Sequence, residues 1–241
     1  MGIVENTNAM ISTVSGNTGR VILFYSGGKD SIALLNLMYP HFKEIICVFM
    51  YFVKDLEHIN IFLRDALIRY PNVQLVQVPH WGLTHIFRAG VLCPKHYVRA
   101  MTIKDIDEGM RIKYGVGYTF YGMKKNDSIH RRLMLNTYGH GGMLSGTNKV
   151  YPLADWSNKD VLRYIQINRL PSPIQYSTLS SNGVTFDINV LLYCRKNYPD
   201  DLKKIFNTFP LAERLLFEYD YGRRTNKVSN INSGSSAEVE Y

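Results

Sequence analysis

The chain has 241 residues, 46% of them hydrophobic and 12% aromatic, enough to bury one sizeable core, and its formal charge of +8 suits polyanionic partners such as nucleoside triphosphates, RNA or DNA. No apolar run approaches the roughly 20 residues of a membrane span, and the opening residues lack the charged start and apolar centre of a secretory signal, so no membrane partner is expected. Three cysteines, Cys47, Cys93 and Cys194, are far apart and form no Cys-x-x-Cys pair, which speaks against a disulfide framework or a cysteine-only metal site and points to a cytoplasmic location.

Residues 1–19 are rich in Asn, Ser, Thr and Gly and are expected to form a flexible arm, as is the tail 222–241. In the body, short apolar runs alternate with helical periodicity. "RVILFYS" precedes a helix over Ser31 to Tyr39, "EIICVFMYF" precedes one over Leu56 to Tyr70, and "VQLVQVP" precedes one near Trp81 to Ala89. Such uninterrupted apolar strands predict a parallel sheet covered on both faces. Cys47 belongs to the second run and is expected in the core.

A polar helix near Val98 to Tyr114 leads to a fourth strand candidate, "GYTFYGM", and "KVYPLADW" supplies a fifth. Ser157 then reads as the N-cap of a helix with Asp160 three residues on, stopped by Pro171 and Pro173. From Phe186 to Tyr221 the pattern is helical, broken at Pro199 and Pro210. The fold class expected is α/β, a doubly wound, mainly parallel five-stranded sheet over 20–176 with a C-terminal helical cap over 177–221.

Between the first strand and its helix lies "SGGKDS". A strand ending in a glycine-rich turn that opens a helix converges free amides and the positive end of the helix dipole, a ready site for phosphate. Gly27 and Gly28 allow positive φ and close approach of an anion, Lys29 can reach a phosphate oxygen, and the Ser26 and Ser31 hydroxyls can donate to others. Asp30 is left open between capping the helix and facing magnesium. The spacing matches neither G-x-x-x-x-G-K-[ST] nor G-x-G-x-x-G.

"SGGKDS" in this context resembles the pyrophosphate loop of the adenine nucleotide α-hydrolase group. Two further stretches are similar to its phosphoadenosine phosphosulfate (PAPS) reductase-like branch. "GMKKNDSIHRR" resembles the pattern G-I-R-x-x-E-S-x-x-R through Gly122, Ser128 and Arg131, with Lys124 and Asp127 as departures. "YPLADWSNKDVLRYI" resembles a second pattern through Pro152, Leu153, Asp155, Trp156, Asp160, Val161, Tyr164 and Ile165. The resemblance runs from about Val21 to Tyr176.

The resemblance implies that the loop grips the β- and γ-phosphates of ATP with Mg²⁺, that Gly122 and Ser128 contribute to the nucleotide site, and that Lys29, Lys124 and Arg131 act as catalytic cations. It also implies an acidic position after the second strand, where Asp55 and Glu57 are available and Asp55 is the nearer candidate for metal. His80, Cys93, Lys95 and His96 fall where such proteins present substrate-contacting residues; Cys93 and His96 are open between nucleophile and base, metal ligands, and loop residues around a cleft. Trp156 is expected to anchor the core. The expected reaction is cleavage of ATP between the α- and β-phosphates with adenylyl transfer to an unidentified second substrate. The alternatives are thiol-dependent PAPS reduction through Cys93 or Cys194, and nucleotide or nucleic-acid binding without turnover. Nucleic acid and a homo-oligomer stay open as partners.

Overall fold

In the computed structural model, which describes residues 2–172, 174 and 187–222, the apolar runs form strands β1 (Arg20–Phe24), β2 (Glu44–Tyr51) and β3 (Val73–Pro79). Two short strands, β4 (Thr119–Phe120) and β5 (Lys149–Val150), complete a sheet of order β3-β2-β1-β4-β5 in which every neighbouring pair is parallel. The chain therefore fills one side of β1 with β2 and β3, then crosses back to place β4 on the other. That reversal leaves a crevice beyond the carboxyl ends of β1 and β4, where open α/β sheets bind ligands.

The helices are α1 (Ile3–Ser15), α2 (Lys29–Met38), α3 (Glu57–Arg69), α4 (Leu83–Ala89), α5 (Ile103–Tyr114), α6 (Ile129–Asn136), the irregular turn α7 (Gly139–Gly142), in which His140 and Gly141 take positive φ, α8 (Asn158–Ile167), α9 (Ile188–Asn197) and α10 (Pro199–Thr208). Residues 213–222 are also helical. On one face of the sheet Ile22, Phe24, Ile46 and Val48 pack in a core with Ile106 of α5 and Leu135 of α6. On the opposite face Val21, Leu23, Ile45 and Cys47 are equally buried, and Phe42 meets Phe120 edge-on at 5.5 Å. Burial on both faces is why these strands are apolar throughout rather than alternating.

β4 and β5 are shorter than their sequence windows. Beyond Val150 the ladder meets Pro152, which has no N–H to give, and beyond Phe120 the chain turns away at Gly122. The predicted cap at Ser157 is present as a capping box: Ser157 accepts from Asp160 N at 3.2 Å and Asp160 Oδ2 accepts from Ser157 N at 2.8 Å.

The expected N-terminal arm is a correction. Residues 3–15 form α1, whose Thr7, Met10, Ile11 and Val14 are buried. Their spacing gives an apolar stripe, and Thr7 Oγ1 joins it to the segment between β5 and α8 by donating to Pro152 O at 2.9 Å while accepting from Trp156 Nε1 at 2.8 Å. Trp156 is 1% exposed and holds the core position expected of it.

The chain divides into two compact units: residues 1–85 with 99–184, and 86–98 with 185–241. The expected arm is thus part of the first unit, and the segment 86–98 joins the C-terminal helices instead of the α/β body. Within the second unit Leu211 N donates to Leu92 O at 2.9 Å, and the Phe87 and Phe209 rings lie 6.4 Å apart. The boundary expected at 176/177 and the tail from 223 lie outside the described residues.

Candidate nucleotide site

After β1, Tyr25 N still donates to Val48 O at 3.0 Å, so the sheet holds the chain up to the loop. Gly27 then takes φ +70°, a conformation that glycine adopts without strain. Gly28, the N-cap of α2, carries no side chain to cap the helix. The serines brace the loop from within: Ser31 Oγ donates to Gly28 O at 2.9 Å and accepts from Ser26 N at 3.2 Å, and Gly28 N donates to Ser26 Oγ at 3.3 Å. Ser31 is 4% exposed, so its hydroxyl shapes the loop rather than facing outward. The first-turn amides of α2, with no side-chain cap over them, are left to an incoming anion.

The second wall of the crevice is the segment after β4. Gly122 lets it approach α2 closely, since a Cβ there would lie 3.3 Å from Asp30 C and Cβ. That approach builds a chain of five alternating charges. Lys29 Nζ contacts Asp30 Oδ2 at 3.0 Å; Asp30 Oδ1 contacts Lys124 Nζ at 2.5 Å; Lys124 Nζ contacts Asp127 Oδ1 at 2.9 Å; and Asp127 Oδ2 accepts from Arg131 Nη1 at 2.7 Å. Side-chain exposure is 14% for Lys29, 0% for Lys124 and 44% for Arg131, so only the two ends of the chain reach solvent with a cation. Burial pushes the Asp127 carboxyl up, but hydrogen bonds from the Lys124 side chain and backbone outweigh it and hold the group below its usual range.

These contacts revise several expected roles. Lys124, expected to face the nucleotide, is buried and clamps two carboxylates. Ser128 caps α6 by accepting from Arg131 N at 3.2 Å. Asp30, open between cap and metal ligand, has both oxygens occupied by ammonium groups. Asp55 is exposed at φ +59° ahead of α3, and Glu57 is paired with Arg64. Among the described residues no three His, Cys, Asp or Glu side chains gather as a metal site.

Sequence reasoning missed how Lys125 is used: its Nζ bridges Asp155 Oδ1 and Gly141 O, each at 2.7 Å, and so ties three loops at the strand ends together. The i,i+3 and i,i+4 spacing of Lys124, Asp127 and Arg131 was readable; the Asp30–Lys124 contact across 94 positions carried no local signal.

The remaining candidates do not join this cluster. His80 Nδ1 accepts from Gly82 N at 2.9 Å while its ring stacks on Phe52 at 4.3 Å, and burial brings its pKa down to about 4. Lys95 and His96 belong to the second unit. All three cysteines are buried. Burial raises the Cys93 thiol, pushes Cys194 up to about 12, and raises Cys47 further, so none is a thiolate at neutral pH.

The family model described as the phosphoadenosine phosphosulfate reductase domain matches residues 20–179, from β1 past α8. No curated protein sequence matches the chain. Among solved structures, a phosphate complex of phosphoadenylyl-sulfate (PAPS) reductase from Candida auris is similar at 12% identity and TM-score 0.45, covering 69% of this chain and 81% of that one. The NH3-dependent NAD synthetase from Campylobacter jejuni subsp. jejuni NCTC 11168, in complex with nitrate, is similar at 15% identity and TM-score 0.44, covering 100% of both chains. The match to the family model takes in the braced loop, the crevice at the strand reversal and the charge chain that lines it, and the chain belongs to the phosphoadenosine phosphosulfate reductase domain family.

Proposed function

We propose that the protein binds the magnesium complex of ATP at the amino terminus of α2 and cleaves it between the α- and β-phosphates. An acceptor nucleophile attacks the α-phosphorus, the bond from that phosphorus to the bridging oxygen breaks, and pyrophosphate departs with the bonding electrons. The observation that carries this reading is the Gly27–Gly28 turn at the strand reversal, which presents uncapped helix amides to an anion at the carboxyl end of β1.

The β- and γ-phosphates belong on those amides, where developing negative charge on the leaving group meets fixed dipoles. Lys29 transfers from Asp30 to a phosphate oxygen when the nucleotide arrives. Asp30 stays in place because buried Lys124 holds its other oxygen, so the exchange costs no buried charge its partner. Arg131, at the exposed end of the chain, faces the second substrate. Magnesium supplies charge neutralisation on the phosphates as part of the substrate. The reductase alternative requires an exposed thiolate, and the burial of Cys47, Cys93 and Cys194 disfavours it.

Calorimetric titration with ATP and Mg²⁺, followed by product analysis across a panel of oxyanion, amine and nucleobase acceptors, tests the reading. Binding is expected, with pyrophosphate released together with the adenylylated acceptor, which yields AMP when water or a second nucleophile displaces it. Lys29→Ala should weaken ATP binding about 10- to 50-fold, the loss of one charge-assisted contact. ADP as product, or no nucleotide binding, would overturn it.

A further inference from the structure

The second unit carries a basic cavity that the proposed ATP chemistry does not use. It has a volume of about 450 Å³ and is lined by Arg88, Lys95, His96, Tyr97 and Val98. The segment that forms it, residues 86–98, contains Arg88, Lys95 and His96 and no Asp or Glu. Neither Arg88 nor Lys95 has a carboxylate within ion-pair distance among the described residues, whereas Arg195, Lys203, Lys204 and Arg214 of the same unit are each paired. Cations concentrated without counter-charge make a local positive potential available to a polyanion.

The backbone beneath is fixed. Gly90 has φ +67°, and a Cβ there would lie 3.2 Å from Lys95 Cβ, so glycine lets the chain fold back on itself. His96 N donates to Phe87 O at 2.8 Å, the His96 ring meets Phe87 edge-on at 5.8 Å, and Cys93 is buried. Tyr97, next in the chain, is 94% exposed. Lys95 Nζ lies 5.6 Å from its ring centroid, covering one face of the ring and leaving the other to solvent.

We infer that this cavity is a binding site for single-stranded nucleic acid, with an unstacked base on the open face of Tyr97 and the flanking phosphates on Arg88 and Lys95. Cations tracking a backbone beside an open aromatic platform are the elements that single-strand binding requires. A duplex hides its base faces and cannot use the ring. A lone mononucleotide would need walls that desolvate its base and sugar, and every lining residue here is exposed. A continuing strand gains contacts from phosphates on either side of the stacked base without such walls.

The test is fluorescence anisotropy of the full chain with labelled 12-nucleotide oligo(U) and oligo(dT) between 50 and 200 mM salt. Binding is expected at low salt. Tyr97→Ala should weaken it at least about fivefold, and Tyr97→Phe should retain it. Arg88→Gln with Lys95→Gln should flatten the slope of log K against log salt by about 1.4, two released counterions on a single strand. Because these side chains are exposed, melting curves of the variants should overlay the wild type. Lys29→Ala should bind the oligonucleotide normally, which separates this site from the ATP reading. Absence of binding at 50 mM salt, binding indifferent to the Arg88, Lys95 and Tyr97 changes, equal competition by a duplex of the same length, or displacement of the oligonucleotide by equimolar AMP would each overturn the assignment.

Discussion

Two basic regions of this molecule treat their charges in opposite ways. At the strand reversal Lys29, Lys124 and Arg131 are interleaved with Asp30 and Asp127 so that each cation touches a carboxylate. In the 86–98 segment Arg88 and Lys95 meet no carboxylate among the described residues, and Lys95 Nζ lies over the Tyr97 ring. The first arrangement spends its electrostatics on holding two loops in register. The second holds nothing together, and its field is free for a partner. A net charge of +8 does not distinguish these uses; only the placement of the carboxylates does.

The largest effect that separates them is expected from Lys124→Met. The side chain is fully buried, and its removal leaves Asp30 and Asp127 facing each other with less than a quarter of their side-chain surface in water. Removing the central partner of such a cluster is expected to cost about 3 kcal/mol of stability in urea unfolding, and adding Asp30→Asn should restore part of it by removing one of the two like charges left facing each other. A loss below about 1 kcal/mol would mean that water already solvates the pair, and the contrast between the two regions would dissolve.

How much of this was legible in the sequence follows the range of the interaction. The three long strands, the glycine turn and the Ser157 capping box rest on residues within a few positions of each other, and all are present. α1 was hidden because its Asn, Ser and Thr content reads as a mobile arm, while the stripe Thr7, Met10, Ile11 and Val14 gains its meaning only from Trp156, 149 residues away. Lys124 looks like a substrate contact in the sequence because lysines are almost never fully buried unless paired, and its Asp30 partner lies 94 positions away. The grouping of 86–98 with α9 and α10 likewise depends on contacts such as Leu92 with Leu211, which no local pattern announces.

Acid titration sharpens the comparison, because a second buried group responds in a different pH window from the charge chain. His80 has its pKa lowered by burial to about 4 from 6.5, so the unfolded chain binds the proton first. Its contribution is fully present above pH 6.5 and is lost as pH falls toward 4, on the order of 1 kcal/mol after allowance for its half-exposed ring. Asp127, also held low, gives stabilisation that is present above the unfolded carboxylate value of about 3.9 and is lost only as pH drops through its lower folded value. Chemical denaturation from pH 7 to 3 should therefore show two descents. His80→Gln should remove the first and spare the second; a variant that keeps both would place the upper descent elsewhere.

The smallest effect is expected where charge is unanswered. Arg88→Gln with Lys95→Gln removes two exposed cations that hold no carboxylate and accept no structural duty, so stability should stay within about 0.5 kcal/mol of wild type in the same urea assay. Relief of like-charge repulsion between them would even move it slightly upward, and added salt should mimic that change in the wild type by screening. A loss above about 1 kcal/mol would show instead that the two side chains brace the fold through their aliphatic stems, as the Lys95 approach to Gly90 permits. In that case the second unit would use its cations as the first does, and the positive field at Tyr97 would be a by-product of packing.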